Sequence, residues 1–246
     1  MIPKIIHYVW VGKKEKPAAI KRCMKTWKKY MPDWEIKEWN EENFDINSIK
    51  FTKEAYKQKK WAFVSDYIRL YAVYKEGGIY LDTDIIIREN LEKYLGNTAF
   101  IGFEDIEYPF TAVFGARKGN PFVKRLLDEY DKVKPIFDSS NTNTKIVSNI
   151  IKKEYGVKMN DKEQLLKDDL KIYSSNTFSF PSLKSSSIHT YSSTWYDGKT
   201  FWLTKIDKNF KSHLTNDLLI ILYNIFYITL IIPKKKLTKY LKRRNK

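Results

Sequence analysis

Residues 61–87, WAFVSDYIRLYAVYKEGGIYLDTDIII, admit few folds. The first part is apolar nearly all round at helical spacing, which marks a buried helix. Gly77 is placed to cap that helix. IYLDTDIII then reads as strand, interruption, strand. The spacing predicts that the helix begins well upstream and runs unbroken from TKEAYKQKK. The opening of the chain shows the same alternation. KIIHYVWVG reads as a strand over 4–11. Ile20, Met24, Trp27 and Met31 then recur at helical spacing between Pro17 and Pro32, and WEIKEW alternates like a short strand. A β–α–β opening implies an α/β fold with a parallel sheet. TAFIGFED and TAVFGARKG add strands. NPFVKRLLDEYDKV adds an amphipathic helix with Asn120 as N-cap and Pro121 in its first turn. Residues 138–170 are polar and mostly helical. Residues 170–202 read as loops, with short strands at best, closing over something.

Two acids, Asp82 and Asp84, interrupt the most apolar strand. If the strand continued through them, both side chains would point to one face. Unpaired buried carboxylates are costly, and like charges side by side more so. A divalent ion resolves this, and carboxylate oxygens suit Mg²⁺ or Mn²⁺, which commonly bridge phosphates. The alternative is a polar turn whose aspartates accept from backbone N–H groups. Upstream, Asp66 and Arg69 share a helix face at i and i+3. In an apolar helix such a pair needs further partners, and sugar hydroxyls are suitable ones. Gly77 and Gly78 permit close backbone approach ahead of the acids. His189, in IHTYSSTW, is a possible third ligand, since neutral imidazole suits Mn²⁺.

The chain is globular in composition, with 43% hydrophobic residues and seven Trp among 246 residues. One cysteine, Cys23, excludes an internal disulfide and favours a cytosol-facing location. The opening residues show no secretory pattern. The net charge is +16, and residues 233–246 hold eight Lys or Arg and no acid. Just before them, LLIILYNIFYITLII is the longest apolar run. A 15-residue helix spans roughly 22 Å, short of the ~30 Å hydrocarbon core. An in-plane membrane helix with a polybasic neighbour is therefore expected over 218–246, on an anionic surface. A buried helix docked on the sheet is the alternative.

Three blocks, IPKIIHYVWVG, WAFVSDYIRLYAVYKEGGIYLDTDI and IHTYSSTW, resemble in order and spacing the D-x-D glycosyltransferases of family 32. That family includes bacterial capsule and lipopolysaccharide sugar transferases and the yeast initiating mannosyltransferase. The sugar-transferring domain of the large clostridial toxins is more distant. The resemblance covers roughly 1–200. It implies a nucleotide-sugar-binding α/β domain of the GT-A type, a Rossmann-like mixed sheet flanked by helices, over 1–210. Residues 211–246 would form a helical membrane-associating segment.

What the resemblance implies for residues is specific. Trp10, with Val9 before it, would stack on the nucleotide base. Asp66 and Arg69 would grip the donor sugar, with Gly78 near the nucleotide sugar. Asp82 would face ribose, sugar and metal-bound water and is counted among the metal residues, and Asp84 would bind the metal directly. His189 would complete the ligand set. Trp195 would hydrogen-bond the departing diphosphate, helped by Ser193. The expected activity is transfer of a hexose with retention. The donor would be a nucleotide sugar, a UDP-hexose by analogy, and Mn²⁺ or Mg²⁺ the cofactor. The acceptor would be a saccharide or lipid-linked saccharide of bacterial surface polysaccharide, met at the cytoplasmic face of the cell membrane. Residues 138–150 do not match the family, which leaves acceptor recognition open. The rival readings are a D-x-D phosphohydrolase and a nonenzymatic basic membrane or nucleic-acid binder. The hydrolase pattern has Thr or Val where this chain has Ile86. The binder leaves the acidic pair unexplained, so no nucleic acid partner is expected.

Overall fold

The computed structural model describes residues 1–110, 112–138, 142–191, 210–211, 213–214 and 216–231. Nine strands are described: β1 Ile5–Val9, β2 Glu35–Trp39, β3 Gly78–Leu81, β4 Ile85–Ile87, β5 Ala99–Gly102, β6 Val113–Ala116, β7 Gln164–Leu165, β8 Leu170–Tyr173 and β9 Ser187–His189. The helices are α1 Ala18–Tyr30, α2 Lys50–Lys57, α3 Trp61–Glu76, α4 Pro121–Tyr130, α5 Asn143–Glu154, the short α6 Ser175–Phe178, and α7 Asp217–Phe226. Seven strands form a sheet ordered β2-β1-β3-β6-β5-β8-β7, and β4 pairs with β9 in a second, two-stranded sheet. The large sheet is mixed. β1 lies parallel to β2 and β3, while β6 runs antiparallel to both β3 and β5. The α/β class read from the opening is therefore present, with an antiparallel strand inserted at its centre.

Both faces of the sheet are covered, and strand alternation assigns the residues. Val9, Tyr80, Phe114 and Ile172 face a layer that includes α2 to α5. Ile6, Tyr8, Ile79, Leu81 and Val113 face the opposite way, toward Ile20 and Trp27 of α1 and Phe178 of α6. A sheet buried on both sides carries near-continuous apolar runs, which is why its strands read so strongly.

Three expectations change. The stretch from Thr52 to Glu76 is two helices, since Lys59 takes φ 56° and the chain turns between α2 and α3. Nothing in KQKK announces that break. Among the described residues of 138–170, the helical structure is α5 and a 3-10 turn at Lys167–Asp169, and the edge hairpin β7–β8 follows α5. Most consequential, Asp82, Thr83 and Asp84 are not strand. The Ile85 N–H donates to the Asp82 carbonyl at 3.1 Å, which closes a turn and moves the chain from the large sheet to the small one.

Each end of that turn is anchored. The Asp82 N–H donates to the Ala112 carbonyl at 3.0 Å. On the far side, Trp27 of α1 donates its indole N–H to the Ile85 carbonyl at 2.8 Å, and the Ile87 N–H donates to Thr26 Oγ1 at 2.9 Å. The acids therefore stand on a short loop held at both ends by buried hydrogen bonds. Such bonds rigidify a site because leaving them unmade is expensive.

Candidate metal and sugar-binding site

The carboxyl ends of β1, β3, β5 and β8 lie at one edge of the sheet, as their pairings require. In α/β sheets this edge, beside the point where strand order reverses, is where ligands bind. α3 runs antiparallel to β3, so its first half returns to the same edge. That places Ser65, Asp66 and Arg69 beside Asp82.

Arg69 is the centre of this group. Its Nη2 lies 3.1 Å from Asp66 Oδ1, and its Nη1 lies 3.2 Å from Asp82 Oδ1. Nη2 also donates to Ser65 Oγ at 3.1 Å, and Nε to the Ser65 carbonyl at 3.3 Å. The guanidinium lies over the Tyr80 ring at 4.7 Å, and the Tyr80 hydroxyl donates to Asp82 Oδ1 at 2.8 Å. Asp66 and Arg69 are 7% and 8% exposed, so this is a buried ion network and not a surface pair. Burial pushes Asp66 up to about 6, with Arg69 pulling back and Asp82 adding to the rise. Burial opposes the Arg69 charge, yet Asp82, Tyr80 and Asp66 hold it protonated more firmly than usual. Asp66 also accepts from the Asn143 N–H at the start of α5, and Tyr130 donates to Asn143 Oδ1 at 3.0 Å.

The second group is brought together by β4 and β9. Their antiparallel register sets His189 opposite Ile85, and the Thr190 N–H donates to the Asp84 carbonyl at 3.1 Å. His189 Nε2 consequently lies 3.3 Å from Asp84 Oδ1. One ligand atom each from Asp82, Asp84 and His189 falls within 4.8 Å of the others. Burial disfavours charge on His189, but Asp84 and then Glu104 and Asp82 overcome it and raise its pKa. Tyr191 stacks on the imidazole at 3.9 Å between centroids. His189 Nδ1 is buried without a hydrogen-bond partner among the described residues. His7 offers a contrast, because Nδ1 accepts from Trp39 at 3.0 Å while Nε2 meets the Gly77 carbonyl at 2.7 Å. Both nitrogens of His7 are engaged, as expected of a structural histidine. The oxygen and imidazole donors at 82, 84 and 189 fit a divalent ion of the Mg²⁺ or Mn²⁺ kind.

Of the residues expected at the site, Asp66, Arg69, Asp82, Asp84 and His189 are thus gathered in one place. Val9 ends β1 at the same edge, buried on the α3 side. Trp10 follows on the opposite face, 6% exposed, with its indole N–H donating to the Lys14 carbonyl at 2.6 Å. Lys16 Nζ lies 5.5 Å from the Trp10 ring centroid. Gly78 is not brought to the cluster. It starts β3, about 13 Å of strand away from Asp82. A Cβ there would come within 2.7 Å of the Ile5 carbonyl oxygen, so the close approach it permits is between β3 and β1. Ser193 and Trp195 lie outside the described residues.

Three site residues escaped the sequence reading. Tyr80 looked like ordinary strand, although a tyrosine two places before an acid on the same face is a readable signal. Glu104 follows β5, and its carboxyl is raised by burial, with His189 opposing and Asp105 and Asp82 adding. Asn143 sits at the start of α5. Nothing local marks either one: strand order brings Glu104 near Asp82, and the packing of α5 brings Asn143 to Asp66.

Residues 17–101 match the family described as the glycosyltransferase sugar-binding region containing the DXD motif. An uncharacterized glycosyltransferase of Acanthamoeba polyphaga mimivirus is 31% identical over 132 residues, 49% of this chain and 52% of that one. Inositol phosphoceramide mannosyltransferase 3 of Schizosaccharomyces pombe is 28% identical over 130 residues, 51% of this chain and 36% of its own. The matched region thus spans about half or less of these relatives. Among solved structures, the PaToxG glycosyltransferase aligns with a TM-score of 0.47 at 18% identity, over 62% of this chain and 69% of its own.

Proposed function

We propose, from the match of residues 17–101 to the DXD-containing glycosyltransferase sugar-binding region, a metal-dependent glycosyltransferase of the GT-A type. It moves a hexose from a nucleotide sugar, a UDP-hexose by preference, to a saccharide acceptor with retention at the anomeric carbon. One observation carries this reading. Asp82, Asp84 and His189 converge within 4.8 Å beside the buried Asp66–Arg69–Tyr80 network, at the ligand-binding edge of the sheet.

Asp82, Asp84 and His189 would hold Mn²⁺ or Mg²⁺, which would neutralise the leaving diphosphate and fix its position. The chain's own groups do the rest. Arg69 fixes the Asp66 and Asp82 carboxylates and brings positive charge to the edge where negative charge develops. Asp66 retains acceptor capacity for hydroxyls of the donor sugar, because Arg69 and the Asn143 N–H hold it without using every lone pair. Tyr80 fixes Asp82 Oδ1, while Arg69 Nη1 reaches both Asp82 oxygens, at 3.2 Å and 3.5 Å. Trp195 and Ser193 are assigned to the departing diphosphate on the family resemblance. Retention, the UDP donor and a role in bacterial surface polysaccharide rest on that same resemblance.

A phosphohydrolase would use Asp82 as its nucleophile, and its pattern has Thr or Val where this chain has Ile86. The test is nucleotide release from a panel of UDP- and GDP-sugars with Mn²⁺, repeated with EDTA. Release of a nucleoside diphosphate that EDTA abolishes is the expected result. Release of phosphate from simple monoesters, with no nucleotide released from any sugar, overturns the assignment.

A further inference from the structure

Helix α7 and the π-turn Tyr227–Ile231 that continues it have two apolar faces. Ile220 and Tyr223 are fully buried, in one cluster with Ile86 of β4 and Ile188 of β9. The opposite face carries Leu218, Ile221, Leu222, Ile225 and Ile228, each between 45% and 66% exposed. At 3.6 residues per turn these five fall in one sector. The inward face alone explains why the helix docks on the small sheet. It does not explain five large aliphatic side chains in a row on the other side, since contiguous exposed apolar surface marks an interaction site.

The partner can be argued from charge and length. The residues that follow, 233–246, hold eight Lys or Arg and no acid. An apolar ridge continued by such a run matches the two layers of an anionic bilayer surface, acyl boundary and headgroups. No helix among the described residues is long and apolar enough to cross a membrane. A described helix of that length suits a position in the interface plane. We propose that α7 seats its Leu218–Ile228 ridge in an anionic lipid surface, with the basic run on the headgroups. The docking is independent of the sugar-transfer reading. Because Ile86 lies in β4, which directly follows Asp84, and Ile188 in β9, which ends at His189, a docked α7 would bring that pair toward the lipid surface.

Both faces of the proposal can be tested on the full chain. It should sediment with phosphatidylcholine vesicles containing phosphatidylglycerol and do so about tenfold less with phosphatidylcholine alone. The double substitution Leu222→Glu with Ile225→Glu should abolish sedimentation while the melting temperature and donor hydrolysis stay unchanged. Lys234→Gln, Lys235→Gln and Lys236→Gln together should weaken binding and lessen its salt dependence. Should the glutamate variant fail to fold, Ile225→Cys provides an independent reading. The native Cys23 is buried, with its thiol pushed up to about 12, so an environment-sensitive label goes to position 225 alone. Its fluorescence should rise when anionic vesicles are added. A flat signal, or glutamate variants that sediment like the wild type, overturns the proposal. So does a wild type that ignores vesicles but forms a dimer that the glutamates break, which would assign the ridge to a second copy.

Discussion

Asp84→Asn should cost about 1,000-fold in kcat/KM while leaving the fold intact. Outer partners of metal ligands already cost about 10- to 100-fold when removed, and Asp84 is read as a direct ligand. The carboxylate stands among Asp82, His189 and Glu104, so its loss also removes a repulsion from Asp82. Asp84 serves the fold through its backbone as well as through its side-chain contact with His189 at 3.3 Å. Its carbonyl accepts from the Thr190 N–H and from Thr190 Oγ1 at 3.0 Å, and asparagine keeps both bonds. The melting temperature should therefore move by no more than about 4 °C, the shift that ~1 kcal/mol produces in a domain of this size. Steady-state rates at saturating and limiting Mn²⁺, read beside a thermal melt, check both halves. Wild-type rates under limiting metal would remove Asp84 from the site.

Arg69→Met should damage both stability and activity, for a different reason. Removing one partner of a buried ion network costs about 3–5 kcal/mol because the remaining charges are left uncompensated. Here two carboxylates, Asp66 and Asp82, lose the same guanidinium. A drop of about 10 °C in melting temperature is expected. The double variant Arg69→Met with Asp66→Asn separates the two effects. Neutralising Asp66 should recover several degrees, because one stranded charge is gone. Donor turnover should stay about 100-fold or more below wild type, because charge at the ligand edge is still missing and Asp66 has lost its carboxylate. A double variant that regains turnover together with stability would show that Arg69 acts only through the fold.

Much of this site was legible because its signals are local. Asp66 and Arg69 lie one helical turn apart, and an apolar helix has no other reason to carry them. Asp82 and Asp84 interrupt a run that otherwise wants to be strand. The bland reading of that motif, a polar turn, describes its backbone correctly, since Asp82 and Ile85 close one. The two readings are compatible, because the turn is what points both carboxylates toward His189. What stayed hidden depends on pairing between distant segments. The insertion of β6 between β3 and β5 sets where Glu104 falls, and no residue in GFED announces it. His189 reaches the acids through three residues of β9 alone. The break at Lys59 rests on a left-handed lysine, a conformation that residue type does not signal. Gly78 misled in the opposite sense. Its freedom serves contact between two strands, and a glycine reads the same whether its neighbour is a ligand or the chain itself.

Asp82, Asp84 and His189 are, on this proposal, held together to share a divalent ion with a sugar nucleotide. Titration of Mn²⁺ into the full chain, followed by electron paramagnetic resonance with and without UDP-glucose, tests it most directly. If ion and diphosphate share the site, each tightens the other by the same factor, about tenfold or more. Asp84→Asn should abolish that coupling. Mn²⁺ affinity indifferent to every sugar nucleotide in the panel, or unchanged in Asp84→Asn, would contradict the account.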